Sequence, residues 1–345
     1  LVAATAGRAF WILDDLGALQ QSKGEFGVTN LKLFTPKPTY RLNGPPAFLA
    51  ANGIELPGLG QNPSEGVVFD YYLKQKADTN KVTLEIMDLA GKSIRKYSSK
   101  KDESFKPYPG GPPAPVVIPS ESGVNRFAWD FRGEHLVDIP GVYVLGDYRG
   151  HRVAPGHYKA RMTYKGETSE TEFEILADPS LKATAADWTA QQELLNRAES
   201  YLNELNTSIN SMRKVKKQIE TYNDVMKNEK DMKDILDAGK ELIKKIDKWE
   251  SNLTETRSKN FQDVINFPNK LNAEFFQVRT TLDEHDPRVT QGVRDRLQDI
   301  QADWQKFKTQ MDEIVKKDIT QYNKQFREKN LPALMTEPKE ITINN

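Results

Sequence analysis

The hydrophobic period of this chain changes once, at Asp178-Pro179. Upstream, from Val67 onward, apolar residues recur at every second position. Downstream, they recur at every third or fourth position and continue to do so as far as Phe326. A strand alternates its faces with a period of two, whereas a helix returns to one face every 3.6 residues. The two periods occupy separate blocks, so the chain reads as multidomain β plus α, a β region followed by an α region. Its 345 residues suit two or three domains, each with its own core.

In the β block the alternation is explicit. Val67, Phe69, Tyr71 and Leu73 share a face in "VVFDYYLKQ", as do Val82, Leu84 and Ile86 in "KVTLEIMDL". "DLAGKSI" supplies a glycine-containing hairpin turn. In "VNRFAWDFR", Asn125, Phe127, Trp129 and Phe131 alternate with polar or small neighbours. Tyr158, Ala160, Met162 and Tyr164 follow, and a Lys165-Gly166-Glu167 turn leads to Phe173 and Ile175. Short alternating strands with tight turns indicate an Ig-like antiparallel β-sandwich over residues 67–178. The expected core is Phe69, Tyr71, Leu84, Ile86, Phe127, Trp129, Tyr158 and Phe173. Cysteine is absent, so packing alone must hold it.

Residues 179–335 read as an antiparallel helical bundle. Thr184 and Asp187 have capping-box spacing at its start. One stripe runs Trp188, Leu195, Leu202, Ile209, interleaved with Ala198, Leu205, Met212 and Ile219. A second runs from Met232 to Leu253. A third helix is expected to begin at Pro268 and carries Leu271, Phe275, Val278 and Leu282. The fourth runs from Val293 to Ile314 and then shifts register through Ile319, Tyr322 and Phe326. Glu, Lys, Asp and Asn are expected on the outer faces, and residues 336–345 form a tail.

The opening, "LVAATAGRAFWILDDLGALQQ", reads as a turn at Gly7-Arg8 and a strand at Phe10–Leu13 buried on both faces, which needs neighbours in a sheet. Between it and the alternating block, residues 35–66 form a Pro/Gly-rich linker containing Pro36, Pro38, Pro45, Pro46, Pro57 and Pro63.

Few residues suggest chemistry. Lys plus Arg and Asp plus Glu both total 49, so no positive excess favours nucleic acid. The histidines, His135, His151, His157 and His285, form no metal-binding pair and read as solvated loop residues. Asp14-Asp15 are adjacent in a strand and point to opposite faces, so they do not make a glycosidase pair. Ser120–Gly123 lacks the context of a nucleophile elbow, and Gly110-Gly111-Pro112-Pro113 lacks the lysine and amides of a phosphate loop. Tyr143 and Tyr148, in the irregular "PGVYVLGDYRGHR", are the ligand-binding candidates as exposed stacking platforms. No catalytic residue, metal ligand or cofactor is indicated, and the chain by itself is expected to hydrolyse neither glycosides nor peptides.

"ATAGRAFWILDDLGALQQ" resembles the segment that closes the β-propeller of bacterial sortilin-like proteins with BNR (Asp-box) repeats. The likeness continues through "LFTPKPTY", "GVNRFAWDFR", "VAPGHYKARMTYKGETSETEFEILADPSL" and "VINFPNKLNAEF". It implies that residues 1–34 are the final strands of a propeller, followed by sandwich and bundle. The family's usual histidine and serine are Ala6 and Ala9 here. The implied function is a non-catalytic accessory or interaction region of a secreted or surface-associated protein, acting in protein–protein or glycan recognition. The alternatives are a glycoside hydrolase or peptidase-like enzyme whose site lies in the propeller, and a subunit of an outer-membrane surface complex. The implied partners are the protein's own N-terminal propeller and outer-membrane or surface proteins or glycans, in an extracytoplasmic location.

Overall fold

The computed structural model describes residues 1–13, 15–24, 26–42, 64–77, 81–329 and 331. Asp14, most of the Pro/Gly-rich linker (43–63) and the tail 336–345 lie outside the described residues.

Strands β1 (Val2–Ala4) and β2 (Phe10–Ile12) form an antiparallel ribbon in the register Val2↔Ile12. After a short helix, α1 (Gly17–Ser22), come β3 (Leu31–Leu33), β4 (Thr39–Arg41) and β5 (Val67–Leu73). The remaining strands are β6 (Thr83–Asp88), β7 (Ser93–Ser98), β8 (Gly123–Trp129), β9 (Gly156–Tyr164) and β10 (Glu167–Ala177). They make a five-stranded sheet in the order β4-β10-β9-β6-β7 and a three-stranded sheet in the order β3-β5-β8. Both contribute to one core containing Phe69, Tyr71, Leu84, Ile86, Phe127, Trp129 and Phe173, with Tyr158 packed at its border. The alternating pattern therefore located the buried faces. Gly66 shows how closely the chain packs there: at φ 103° an added Cβ would lie 1.8 Å from the Trp129 carbonyl oxygen.

The α region comprises α2 (Ala185–Met226), α3 (Lys233–Leu253), α4 (Leu271–Leu282), α5 (Gln291–Glu313) and α6 (Thr320–Glu328). Helix α2 packs against α3, α4 and α5, and α3 packs against α6, around a shared apolar core. Thr184 caps α2 through a reciprocal capping box with Asp187. The register shift of the last helix has a visible cause. Residues Ile314–Ile319 form a π-helical turn, and a spacing of five then keeps both isoleucines on the buried face.

Four expectations are corrected. Phe10–Ile12 are not buried on both faces: Phe10, Trp11 and Ile12 are 71%, 61% and 68% exposed, because β1 is their sole strand neighbour among the described residues. Residues 1–34 are not one unit, since Leu31 and Leu33 pair across to β5 and enter the sheet core. The sheets are not wholly antiparallel, because β4, inside the supposed linker, runs parallel to β10 with Arg41 opposite Ala177. The third helix begins at Leu271 rather than Pro268. A capping box of Asn260 with Asp263 closes a 3-10 turn upstream, and the chain is still extended at Lys270.

Candidate functional site

The segment from Asp130 to Val153 joins the two regions. It leaves β8 through Phe131, whose φ of 64° strains a non-glycine residue by about 1–3 kcal/mol. Burial against Trp129 holds it there. The segment folds back on itself as an irregular hairpin. Gly133 N–H donates to the His151 carbonyl, Leu136 N–H to that of Tyr148 and Val153 N–H to that of Phe131. Gly150 permits the close approach, since a Cβ there would meet the Glu134 carbonyl oxygen at 2.5 Å. The tip carries Leu136, Ile139, Val142, Val144 and Tyr148 into the helical core.

Helix α2 binds the backbone of this tip with a polar stripe. Asn203 Oδ1 accepts from Val137 N–H at 2.8 Å, and Asn206 Nδ2 donates to the Val137 carbonyl at 2.7 Å. Asn210 Nδ2 donates to the Asp138 carbonyl at 2.7 Å and Arg213 to that of Pro140 at 3.1 Å. One turn earlier, Glu199 accepts from His151 Nδ1 at 2.8 Å, from His151 N–H at 2.9 Å and from Arg279 Nε at 2.7 Å. Burial opposes ionisation of Glu199, but these partners outweigh it and hold the carboxyl below its ordinary range. Arg279 also donates to the carbonyls of Asp147 and Arg149. Asp283 completes the seam by accepting from Arg132 at 2.9 Å and from Arg152 N–H at 3.2 Å.

Two clefts flank residues 133–135. One, of about 330 Å³, opens between the sheet and α2 beside His151, Gln192, Asn196 and Tyr158. The other, of about 350 Å³, has Tyr97 and Phe127 as apolar walls and a polar rim of Asp130, Arg95, Arg132 and Arg149, the arginines already bonded to the Gly133 carbonyl, Asp283 and Asp147 respectively. His135 borders both. Arg95 Nη2 donates to His135 Nε2 at 3.1 Å, and burial together with that guanidinium holds the imidazole pKa down to about 4. No nucleophile paired with a base is formed around these clefts among the described residues.

The imidazole of His135 sets a pH dependence of stability. Unfolded, it takes a proton near pH 6.5, and folded, only near 4. Stability therefore falls as pH drops through that window, by about 1–2 kcal/mol once solvent screening of the half-buried ring reduces the full linkage value. His135→Asn should flatten the curve between pH 7 and 4.5 in urea unfolding. A slope equal to the parent's would refute the assignment. Glu199 loses its contribution at lower pH, below the ordinary carboxyl range, so the two effects separate.

The candidate residues fall differently from expectation. Tyr148 is 1% exposed and meets Phe276 edge-on at 4.8 Å between ring centres, so it is no surface platform. Tyr143 is half-buried and packs against Gly110. That contact, and the Tyr108 ring against Gly111, account for the Gly110-Gly111 pair. Of the histidines His157 alone remains largely solvated; His151 and His285 pair with Glu199 and Asp178. Asn206, assigned to an outer face, is wholly buried. A signal was present in the sequence: Glu199, Asn203, Asn206, Asn210 and Arg213 recur at helical spacing, a polar stripe that needs a polar partner. Among the described residues, no group of three or more acids and histidines converges as metal ligands would. Nor is any helix among them long and apolar enough to cross a membrane.

No family model matches this chain, and none of the curated proteins matches it. The fold and seam define it as a mixed β and α protein in which a buried polar network fastens two sheets to a helical layer.

Proposed function

We propose that this chain is a non-catalytic interaction region, the accessory part of a secreted or surface-associated bacterial β-propeller protein of the sortilin-like, BNR-repeat kind. One observation carries the reading: the exposed ribbon of β1 and β2. Phe10, Trp11 and Ile12, with Leu1, Val2 and Leu13, present apolar side chains to solvent on a two-stranded sheet with open edges. Such a ribbon is marginal alone, and an apolar patch of this kind marks a docking surface. Open strand edges accept another sheet. The partner that fits is the final blade of the protein's own N-terminal propeller. An Ig-like sandwich and an antiparallel bundle are the finer descriptions of the remainder. Two sheets sharing one core around Trp129 support the first, and the packing of α2 to α6 supports the second. A hydrolase site would then belong to the propeller, and a surface-complex role would use this same ribbon.

Hydrogen exchange tests the docking. In a polypeptide that also carries the propeller, amides of residues 2–4 and 10–12 should exchange at least ~100-fold more slowly than in this chain alone. Phe10→Lys combined with Ile12→Lys should restore fast exchange. Equal exchange with and without the propeller would sink the proposal.

Glycan or acidic-ligand recognition has its own support in the cleft of Tyr97, Phe127, Arg95, Arg132 and Arg149. Aromatic walls with guanidinium donors suit a carboxylated or hydroxyl-rich ligand.

A further inference from the structure

Arg41 ends β4 where the sheet edge meets the start of α2. Its side chain is 0% exposed, yet Nε, Nη1 and Nη2 all lack an acceptor among the described residues. The guanidinium lies over the Trp188 ring, 4.7 Å from its centre. Arg152 and Arg132 act on it as repelling charges and Asp283 as an attracting one. Asp283 is already engaged, since its carboxylate and carbonyl accept from Arg132 and Arg152. Arg152 Nε is buried 3.8 Å from Asp283 Oδ1, an ion pair beyond hydrogen-bond reach, and so has no hydrogen-bond acceptor. Against three guanidinium groups stand Asp283 and, at the surface, Glu65. Desolvation lowers the Arg41 pKa to about 10, so the cation persists at neutral pH.

A ring face offsets part of the cost of a buried cation, but it satisfies no N–H donor. We infer that Arg41 and Arg152, backed by the Trp188 ring, form a binding site for one small oxyanion, a phosphate or a carboxylate. Planar guanidinium forks match paired oxygens, and the ring supplies an apolar wall. Arg41 belongs to the sheet and Trp188 to α2, so occupancy joins the two regions and stabilises the folded chain in proportion to ligand concentration. The site is separate from the ribbon and from the clefts around His135.

Isothermal titration of the full 345-residue chain at fixed ionic strength, with inorganic phosphate in one arm and acetate in the other, tests the site. Saturable binding of one equivalent is expected in at least one arm, with a matching rise in Tm. Phosphate alone would assign a tetrahedral anion, and acetate alone a carboxylate. Arg41→Gln and, separately, Arg152→Gln should each weaken binding at least about tenfold. Trp188→Phe should keep the binding heat and remove the accompanying fluorescence change. If neither anion saturates on the parent chain, or if whichever of the two arginine variants folds binds like the parent, the inference is overturned.

Discussion

Replacing Glu199 with alanine should destabilise the chain by about 3–5 kcal/mol, because it leaves a buried cation without its carboxylate. Arg279, whose side chain is 2% exposed, would keep its bonds to the carbonyls of Asp147 and Arg149 but lose its ion pair with Glu199. His151 would lose the acceptor for its ring and its backbone amide together. The network spans the Asp130–Val153 segment, α2 and α4, so unfolding should also lose cooperativity between sheets and helices. Urea unfolding followed by tryptophan fluorescence and by far-UV circular dichroism reads both effects. Removing Arg279 as well, in Glu199→Ala with Arg279→Met, should recover at least about 1 kcal/mol, since the stranded charge is gone. A single-variant loss below about 1 kcal/mol would mean that the pair does not hold the seam.

Trp129→Ala should cost about 3–5 kcal/mol, the range for truncating a large buried aromatic side chain. The ring is fully buried and lies within 6.5 Å, centre to centre, of Phe131, Tyr158 and Phe173. Its Nε1 donates to the Arg132 carbonyl at 2.8 Å, just where the joining segment departs. The substitution removes packing on both sheets and also a bond that shapes the seam. Trp129→Phe should recover most of the packing and fail to restore the Arg132 bond. An alanine effect below about 1 kcal/mol would place the ring at the surface, against the geometry described.

What the sequence determined by itself was the element types and buried faces of its periodic segments. A period of two from Val67 to Leu73 put four alternate residues inside, and all four are buried. The stripe from Trp188 to Ile219 marked the inner face of α2, and the register shift after Ile314 fell where the π turn lies. These follow from local geometry, in which the spacing along the chain fixes the direction of each side chain. The tertiary structure alone decided the fate of irregular segments. "PGVYVLGDYRGHR" has no period, so nothing local says that Tyr148 is buried against Phe276 while Tyr143 is only half-buried. Arg41 reads as one more polar residue beside prolines, and only its position opposite Ala177 and over Trp188 makes it a buried cation. Likewise Glu199 and the asparagine stripe look like a solvated face until the Asp130–Val153 segment covers them. Periodicity reports how a residue stands in its own element, whereas burial of a polar group depends on which distant segment arrives to bond it.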